Sequence, residues 1–172
     1  MKHIQFKTNK RKVVESLVWI IRRGEPNLYN AMKILFAADK YHLNAYVRPV
    51  TGDSYLAMRF GTVPVFAYSV AQKPTSGIGF TRKGNTLILD EGRTFDDTPF
   101  SESDIEALEH GYKEYAGKSF DTVLLKNHRE VAWRKAVERS PGRASSPIFF
   151  EDMVPARMLK DEMFLMAPLI SL

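Results

Sequence analysis

The chain contains no cysteine, which removes disulfides, thiol catalysis and thiolate metal sites together. No apolar run approaches the roughly eighteen residues of a membrane span. The basic start, MKHIQFKTNKRK, lacks the apolar core of a signal peptide. The expectation is a cytoplasmic protein with no membrane segment. His3, His42, His110 and His128 are scattered, with no HExxH or comparable spacing, so no zinc or other metal site is expected. No serine or threonine stands in an activating context such as a G-x-S-x-G elbow. Internal repeats and low-complexity tracts are also missing.

What is there suits a globular domain. At 172 residues, 44% apolar and 26% charged, the chain is long enough for one domain with a proper core, or one domain plus a tail. The net charge of +5 is unevenly spread. Residues 1–23 carry seven Lys/Arg against Glu15 alone, whereas residues 90–114 carry nine Asp/Glu against Arg93 and Lys113. A molecule two-sided in this way could offer its basic end to nucleic acid or to an acidic protein partner, or solvate it along a helix face. It also permits head-to-tail self-association.

Helical spacing dominates the first half. Thr8 is placed to cap a helix ending near Arg23, with Val13, Val14, Leu17, Val18 and Ile21 on one stripe and Gly24 at the stop. Pro26 and Asn27 restart the chain into a second helix that ends before Pro49. Residues 48–64 read as a turn, a short ordered segment (SYLAMRFG) and a tight connection, and VFAYSVAQ as a helix. GIGFTRKGNTLILDEG reads as a hairpin around Lys83-Gly84-Asn85. Such a ribbon must lie on the helices or pair with a partner's strand.

The clearest helix start is PFSESDIEALEHGYKEYAG. Ser101 is its N-cap, Asp104 holds the capping-box position and Phe100 can staple to Ile105. Ile105, Leu108, Tyr112 and Tyr115 form the stripe, and Gly117 stops it. Ser119 opens a short helix to about Lys126. REVAWRKAVE gives another, with Trp133, Ala136 and Val137 inward, and SPGRASSP (140–147) is a flexible loop. The fold class is therefore mainly α: a single compact helical domain over residues 1–154 with a small β-hairpin. The Met- and Leu-rich end, 155–172, packs on the domain or docks another protein.

The second helix raises a chemical question. Leu28, Ala31, Met32, Leu35, Ala38 and Tyr46 fall on one arc, and Asp39 and His42 sit inside it, while Lys33, Lys40 and Asn44 fall on the wet side. A lone carboxylate against a core must find donors or become protonated. His42 is within side-chain reach of Asp39, and Arg48, Thr51 and the Thr51-Gly52-Asp53 amides lie just beyond. Two readings stand: a polar network welding loop to helix, or an Asp-oriented His acting as acid and base.

The stretch KILFAADKYHLNAYVRPVTGDSYLAMRFGTVP resembles the Panacea domain of SocA-type antitoxins and of many phage-borne proteins. That family reads roughly K-L-L-Y-x-A-D-x-x-H-L-x-x-Y-G-R-P-I-T-G-D, then A-M-x-x-G-P-V-P. Lys33, Leu35, Ala38, Asp39, His42, Leu43, Tyr46, Arg48, Pro49, Thr51, Gly52 and Asp53 fit the first part. Ala57, Met58, Gly61, Val63 and Pro64 fit the second. Further on, the family's helix start matches FSESD, and its His-x-x-x-x-Trp element matches His128 and Trp133. Val47 stands where the family has glycine, and Thr62 where it has the first proline of G-P-V-P.

The resemblance implies a mostly helical single domain without catalytic activity or cofactor. It implies an antitoxin-like role: neutralising a cognate toxin by direct protein binding, or delivering it to the ClpXP protease as an adaptor. The alternatives are a phage or prophage protein that inhibits another host protein, and a nucleic-acid-binding regulator using KTNKRK or the helices from Ser101 to Arg139. Asp39, His42, Arg48, Thr51, Asp53, His128 and Trp133 are expected to form a structural polar network. Phe60, Phe66, Phe80, Arg82, Met163 and Phe164 are candidate partner-binding residues, since aromatics and methionine are favoured anchors.

Overall fold

The computed structural model of the protein describes residues 3–160. In chain order its first elements are α1 (Lys10–Arg23), α2 (Leu28–Tyr46), β1 (Tyr55–Met58), β2 (Gly61–Pro64) and α3 (Val65–Gln72). There follow β3 (Phe80–Lys83), β4 (Thr86–Leu89), α4 (Glu102–Tyr115), α5 (Phe120–His128), α6 (Val131–Arg139) and β5 (Ser145–Ile148), then short 3-10 turns at Phe150–Met153 and Met158–Lys160. The fold is mainly α, as expected, with two small antiparallel sheets. Of the Met/Leu-rich end expected to pack on the domain or dock another protein, residues 155–160 are described, with Met158 and Leu159 packed against the apolar cluster of β1, β5 and α6, while Met163 and Phe164 lie outside the described residues.

Helix α2 is enclosed on all sides from Asn30 to Asp39. Ala31, Ile34, Leu35 and Ala38 enter one apolar cluster with α1, α3, α4 and the β3–β4 hairpin, while Phe36 and Leu43 enter a second with β1, β5 and α6. Toward its end Lys40 and Asn44 are half-buried and Tyr46, expected on the dry arc, is 44% exposed, but over the enclosed stretch the helix has no wet side. This corrects the placement of Lys33, which is 1% exposed, and it explains the burial of Asp39 and His42. Helix α4 packs closest. A Cβ on Gly111 would lie 2.4 Å from the Ile34 carbonyl oxygen, so glycine is what lets the two backbones approach.

The capping signals operate with one shift. Asn9, not Thr8, caps α1: its Oδ1 accepts from Lys12 N at 3.0 Å, while the Thr8 hydroxyl donates to Gly52 O. Ser101 and Asp104 form the full capping box on α4. On α6 the inward residues are Ala132 and Ala136, with Trp133 partly buried; Val137, expected inward, is exposed. The hairpin lies on its own chain: Leu28 N donates to Asn85 O and Leu87 N to Pro26 O, both at 2.8 Å.

Two segments form strands where connections were expected. SYLAMRFGTVP makes the antiparallel β1–β2 pair, and β5, from the supposed loop 140–147, pairs with the other edge of β1. The sheet order is β2-β1-β5, so Pro147 sits on an edge strand, where a missing N–H is tolerated.

The two charged segments meet each other. Arg11 pairs with Asp96 at 2.6 Å, Lys12 with Asp104 at 2.7 Å, Arg23 with Glu109 at 2.6 Å and Arg93 with Glu15 at 2.5 Å. Three of the five cations of α1 are thus matched within the molecule, while Lys10 lies over the Phe66 ring and Arg22 donates to the Arg93 carbonyl. That weakens the charge-based grounds for head-to-tail association or for nucleic-acid binding there.

Val47, at the C-cap of α2, has φ 63° and ψ 11°, a left-handed conformation that crowds a β-branched side chain. Val47→Gly should therefore be more stable than Val47→Ala by about 1 kcal/mol, because both lose the side chain but only glycine relieves the strain. Thermal melts should place the glycine variant about 2–4 °C higher.

Candidate functional site

Asp39 is fully buried and accepts three bonds: from Thr51 N at 2.7 Å, the Thr51 hydroxyl at 2.6 Å and the Tyr55 hydroxyl at 2.8 Å. Burial lifts its carboxyl to about 6, against the pull of those donors, so it is ionised at neutral pH. Two residues after Thr51, Asp53 caps α3, with Phe66 N and Ala67 N donating to its two oxygens at 3.0 and 2.9 Å. One short loop thereby ties α2 to α3. Tyr55 is a member that sequence reasoning missed, because its role depends on β1 lying across α2.

His42 does not join Asp39. Its Nδ1 donates to the Arg48 carbonyl at 2.6 Å, and Nε2 accepts from the Ser103 hydroxyl at 2.9 Å. Burial holds the imidazole below its ordinary value, which keeps it neutral for that acceptance. Beside it, Asp104 takes Lys12 Nζ at 2.7 Å, Arg48 Nη1 at 2.9 Å and Ser101 N at 2.9 Å. Burial opposes ionisation there, but the donors hold Asp104 below the usual carboxylate value. The Ser103–His42 pair has the reach of a nucleophile and base. Yet a backbone carbonyl orients the imidazole, and the arrangement clamps α2 and α1 to the start of α4.

A third group fixes the β1–β2 turn. His128 Nε2 bonds the Arg59 carbonyl at 3.0 Å, Trp133 Nε1 donates to the Met58 carbonyl at 2.9 Å, and the two rings stack at 4.0 Å. Asn127 accepts from Thr62 N at 2.7 Å and donates to the Thr62 hydroxyl, while Lys33 Nζ donates to the Thr62 carbonyl at 2.7 Å. The outer edge of β2 is thus satisfied by side chains. Proline at position 62 would lack the N–H that Asn127 accepts. A Cβ on Gly61 would collide with Asn127 Oδ1 at 2.1 Å, so glycine is required beside it.

Between the start of α2, this turn, α3, the β3–β4 turn and the α4–α5 connection opens a cleft of about 740 Å³. Phe60 and Phe120, 47% and 46% exposed, pack edge to face at 5.5 Å, and Tyr29 lies 4.8 Å from Phe120. Lys33 forms part of the wall, its Nζ 4.6 Å from the centre of the Tyr29 ring. Burial lowers its amine to about 7. Arg59 and Lys118 also line the cleft, and no carboxylate does.

A family model described as antitoxin SocA-like, Panacea domain, matches residues 32–134, more than half of the chain. The chain belongs to the SocA-like Panacea family. No curated protein and no solved structure gives a match. Within this Panacea domain the matched segment carries both polar clamps, the anchored turn and most of the cleft. Among the described residues, no helix is long and apolar enough to cross a membrane, and no cluster of His, Asp or Glu could hold a metal ion.

The expected contact residues divide. Phe60 stands at the cleft mouth, and Arg82 is exposed but bonded to Gly84 O and Gln72 O. Phe66 is partly buried against the core. Phe80 is 1% exposed and cannot serve as a contact in this conformation, because the hairpin turns it onto the helices. Tyr29, Arg59, Lys118 and Phe120 were missed; an aromatic at an exposed helix start, right after the Ser119 cap, was the available signal.

Two pH profiles follow. Protonated Asp39 stabilises the fold below about pH 4, and that contribution is lost as pH rises through about 6. The melting temperature of the wild type relative to Asp39→Asn should therefore fall between these values, whereas a constant gap would show no shifted carboxyl. Lys33 shares the cause, burial of a charge, but runs the other way in direction. Its folded value of about 7 lies below the ordinary 10.5, so wild-type stability gains as pH rises through that window. Any advantage of Lys33→Met should be greatest near pH 6 and shrink toward pH 10, read by denaturant midpoints.

Proposed function

We propose that this Panacea domain neutralises a cognate toxin by direct protein contact, with the cleft around Phe60 and Phe120 as the docking surface. The observation that carries the reading is a preformed aromatic cleft on a rigid frame. Half-exposed aromatics at the mouth of a concave site are the usual anchors of a protein interface. The turn bearing Phe60 is held by His128, Trp133 and Asn127, so docking orders little that is not ordered already. The family description, antitoxin SocA-like, points the same way. The activity is binding rather than catalysis, with occlusion of the toxin or its delivery to the ClpXP protease as the two routes.

The nucleic-acid alternative keeps only part of its cations, since Arg139 and Lys135 are both engaged with Asp152 and Arg11, Lys12 and Arg23 are paired on α1. The test is co-expression with the neighbouring reading frame of its native locus. Rescue of growth with a stable complex is the expected result for occlusion, and rescue with disappearance of the neighbour's protein is expected for the adaptor route. Phe60→Asp combined with Phe120→Asp should abolish rescue while costing about 1 kcal/mol or less per site in stability. Undiminished rescue by a folded double variant would move the docking surface elsewhere, and a harmless neighbour that never co-purifies would overturn the antitoxin reading.

A further inference from the structure

Arg11, Lys12 and Arg23 of α1 are answered by carboxylates of the segment that follows the hairpin, but the cations of the cleft are not. Lys33, Arg59 and Lys118 line it, and among the described residues none of the three lies within ion-pair distance of a carboxylate. Lys33 is the telling one. At 1% exposure, its ammonium is met by the Thr62 carbonyl and the face of Tyr29. These supply partial negative charge without a full counter-charge. A buried cation held only this way is electrostatically incomplete, and the cleft beside it is open.

The surroundings define what would complete it. Tyr29, Phe60 and Phe120 present a continuous aromatic surface at the mouth, and Arg59 extends over the Phe60 ring at 5.2 Å. An apolar group could pack there while an acid beside it faced the cations. We propose that the cleft receives an acidic and apolar segment of the protein partner, with an Asp or Glu carboxylate directed toward Lys33, Arg59 and Lys118 and an adjacent large apolar side chain packed against Phe60 and Phe120. The assignment rests on the docking role given to this cleft and adds the chemistry of the occupant. It also sets specificity. A basic segment would face Arg59 and Lys118 and drive the buried Lys33 amine to its neutral form, and a neutral segment would leave the cleft cations without a counter-charge, which is the repulsive half of partner choice.

The test pans a random peptide library displayed on phage against the full chain, with an Arg59→Glu/Lys118→Glu variant as counter-target. Selected peptides are then synthesised and titrated by fluorescence anisotropy. Enrichment of Asp or Glu next to an aromatic or large aliphatic residue is expected. Affinity should fall about tenfold or more when the peptide acid is replaced by its amide, and likewise with Lys33→Met or the exposed Arg59→Glu. A melting curve verifies each variant. If Lys33→Met does not fold, Arg59→Glu decides, since its side chain is at the surface. Selected peptides without acids, binding indifferent to Arg59→Glu, or displacement by nucleoside triphosphates alone would overturn the assignment.

The growth assay separates the two claims. Rescue by a chain whose cleft selects no acidic peptide leaves neutralisation standing and removes this occupant. Acid-selective binding without rescue leaves the occupant standing and removes the antitoxin reading.

Discussion

The enclosure of α2 governs the rest of the molecule. Over the stretch where α2 is covered on every side it cannot leave a polar group to water, so each one buried there must be matched by a particular element. Asn30 reaches Glu25 and the Lys118 carbonyl, Lys33 reaches Thr62, Asp39 reaches Thr51 and Tyr55, and His42 reaches Arg48 and Ser103. Four polar side chains thus specify where the end of α4, the edge of β2, the loop after α2 and the start of α4 must lie. Such bonds add little net free energy over an apolar core, but a mispacked helix would leave them unmade. Their contribution is to the uniqueness of the arrangement.

The same enclosure explains what the sequence made legible. Capping boxes and turn glycines act locally, so α4, α5 and the hairpin at Gly84-Asn85 could be read from their own residues. The β1–β2 pair could not, because AMRFGTVP has no strict alternation and its pairing with β5 spans most of the chain. Lys33 was misplaced for a related reason. An amphipathic wheel assumes one dry stripe, and α2 has dry contact all round, so an alkyl stem with a terminal ammonium could be buried once Thr62 was in place. Asp39 and His42 both lie in polar contacts, but in two separate clamps, a separation that depends on α4 bringing Ser103 and Asp104 to the imidazole.

Charge followed the same logic. The basic first helix and the acidic segment after the hairpin read as two faces of a dipolar molecule, yet folding lays one on the other. Arg11–Asp96 and Arg23–Glu109 are exposed and contribute little stability, whereas Lys12–Asp104 and Arg93–Glu15 are largely buried. Their consequence is that three cations of α1 are already occupied, whereas among the described residues none of the three cations lining the cleft pairs with an acid.

Family resemblance and partner recognition therefore rest on different residues. Asp39, His42, Thr51, Asp53, His128 and Trp133, which carry the resemblance, are spent on clamps and on the carbonyls of the β1–β2 turn. In the A-M-x-x-G segment the two unspecified positions are Arg59 and Phe60, and these stand at the mouth of the cleft. A turn held from beneath through its backbone carbonyls can change the residues at its tip without disturbing the core, because the bonds that hold it do not use the exposed side chains of Arg59 and Phe60. The frame then dictates where a partner is met, and the two free positions, with Lys118 and Phe120 across the cleft, dictate which partner it is.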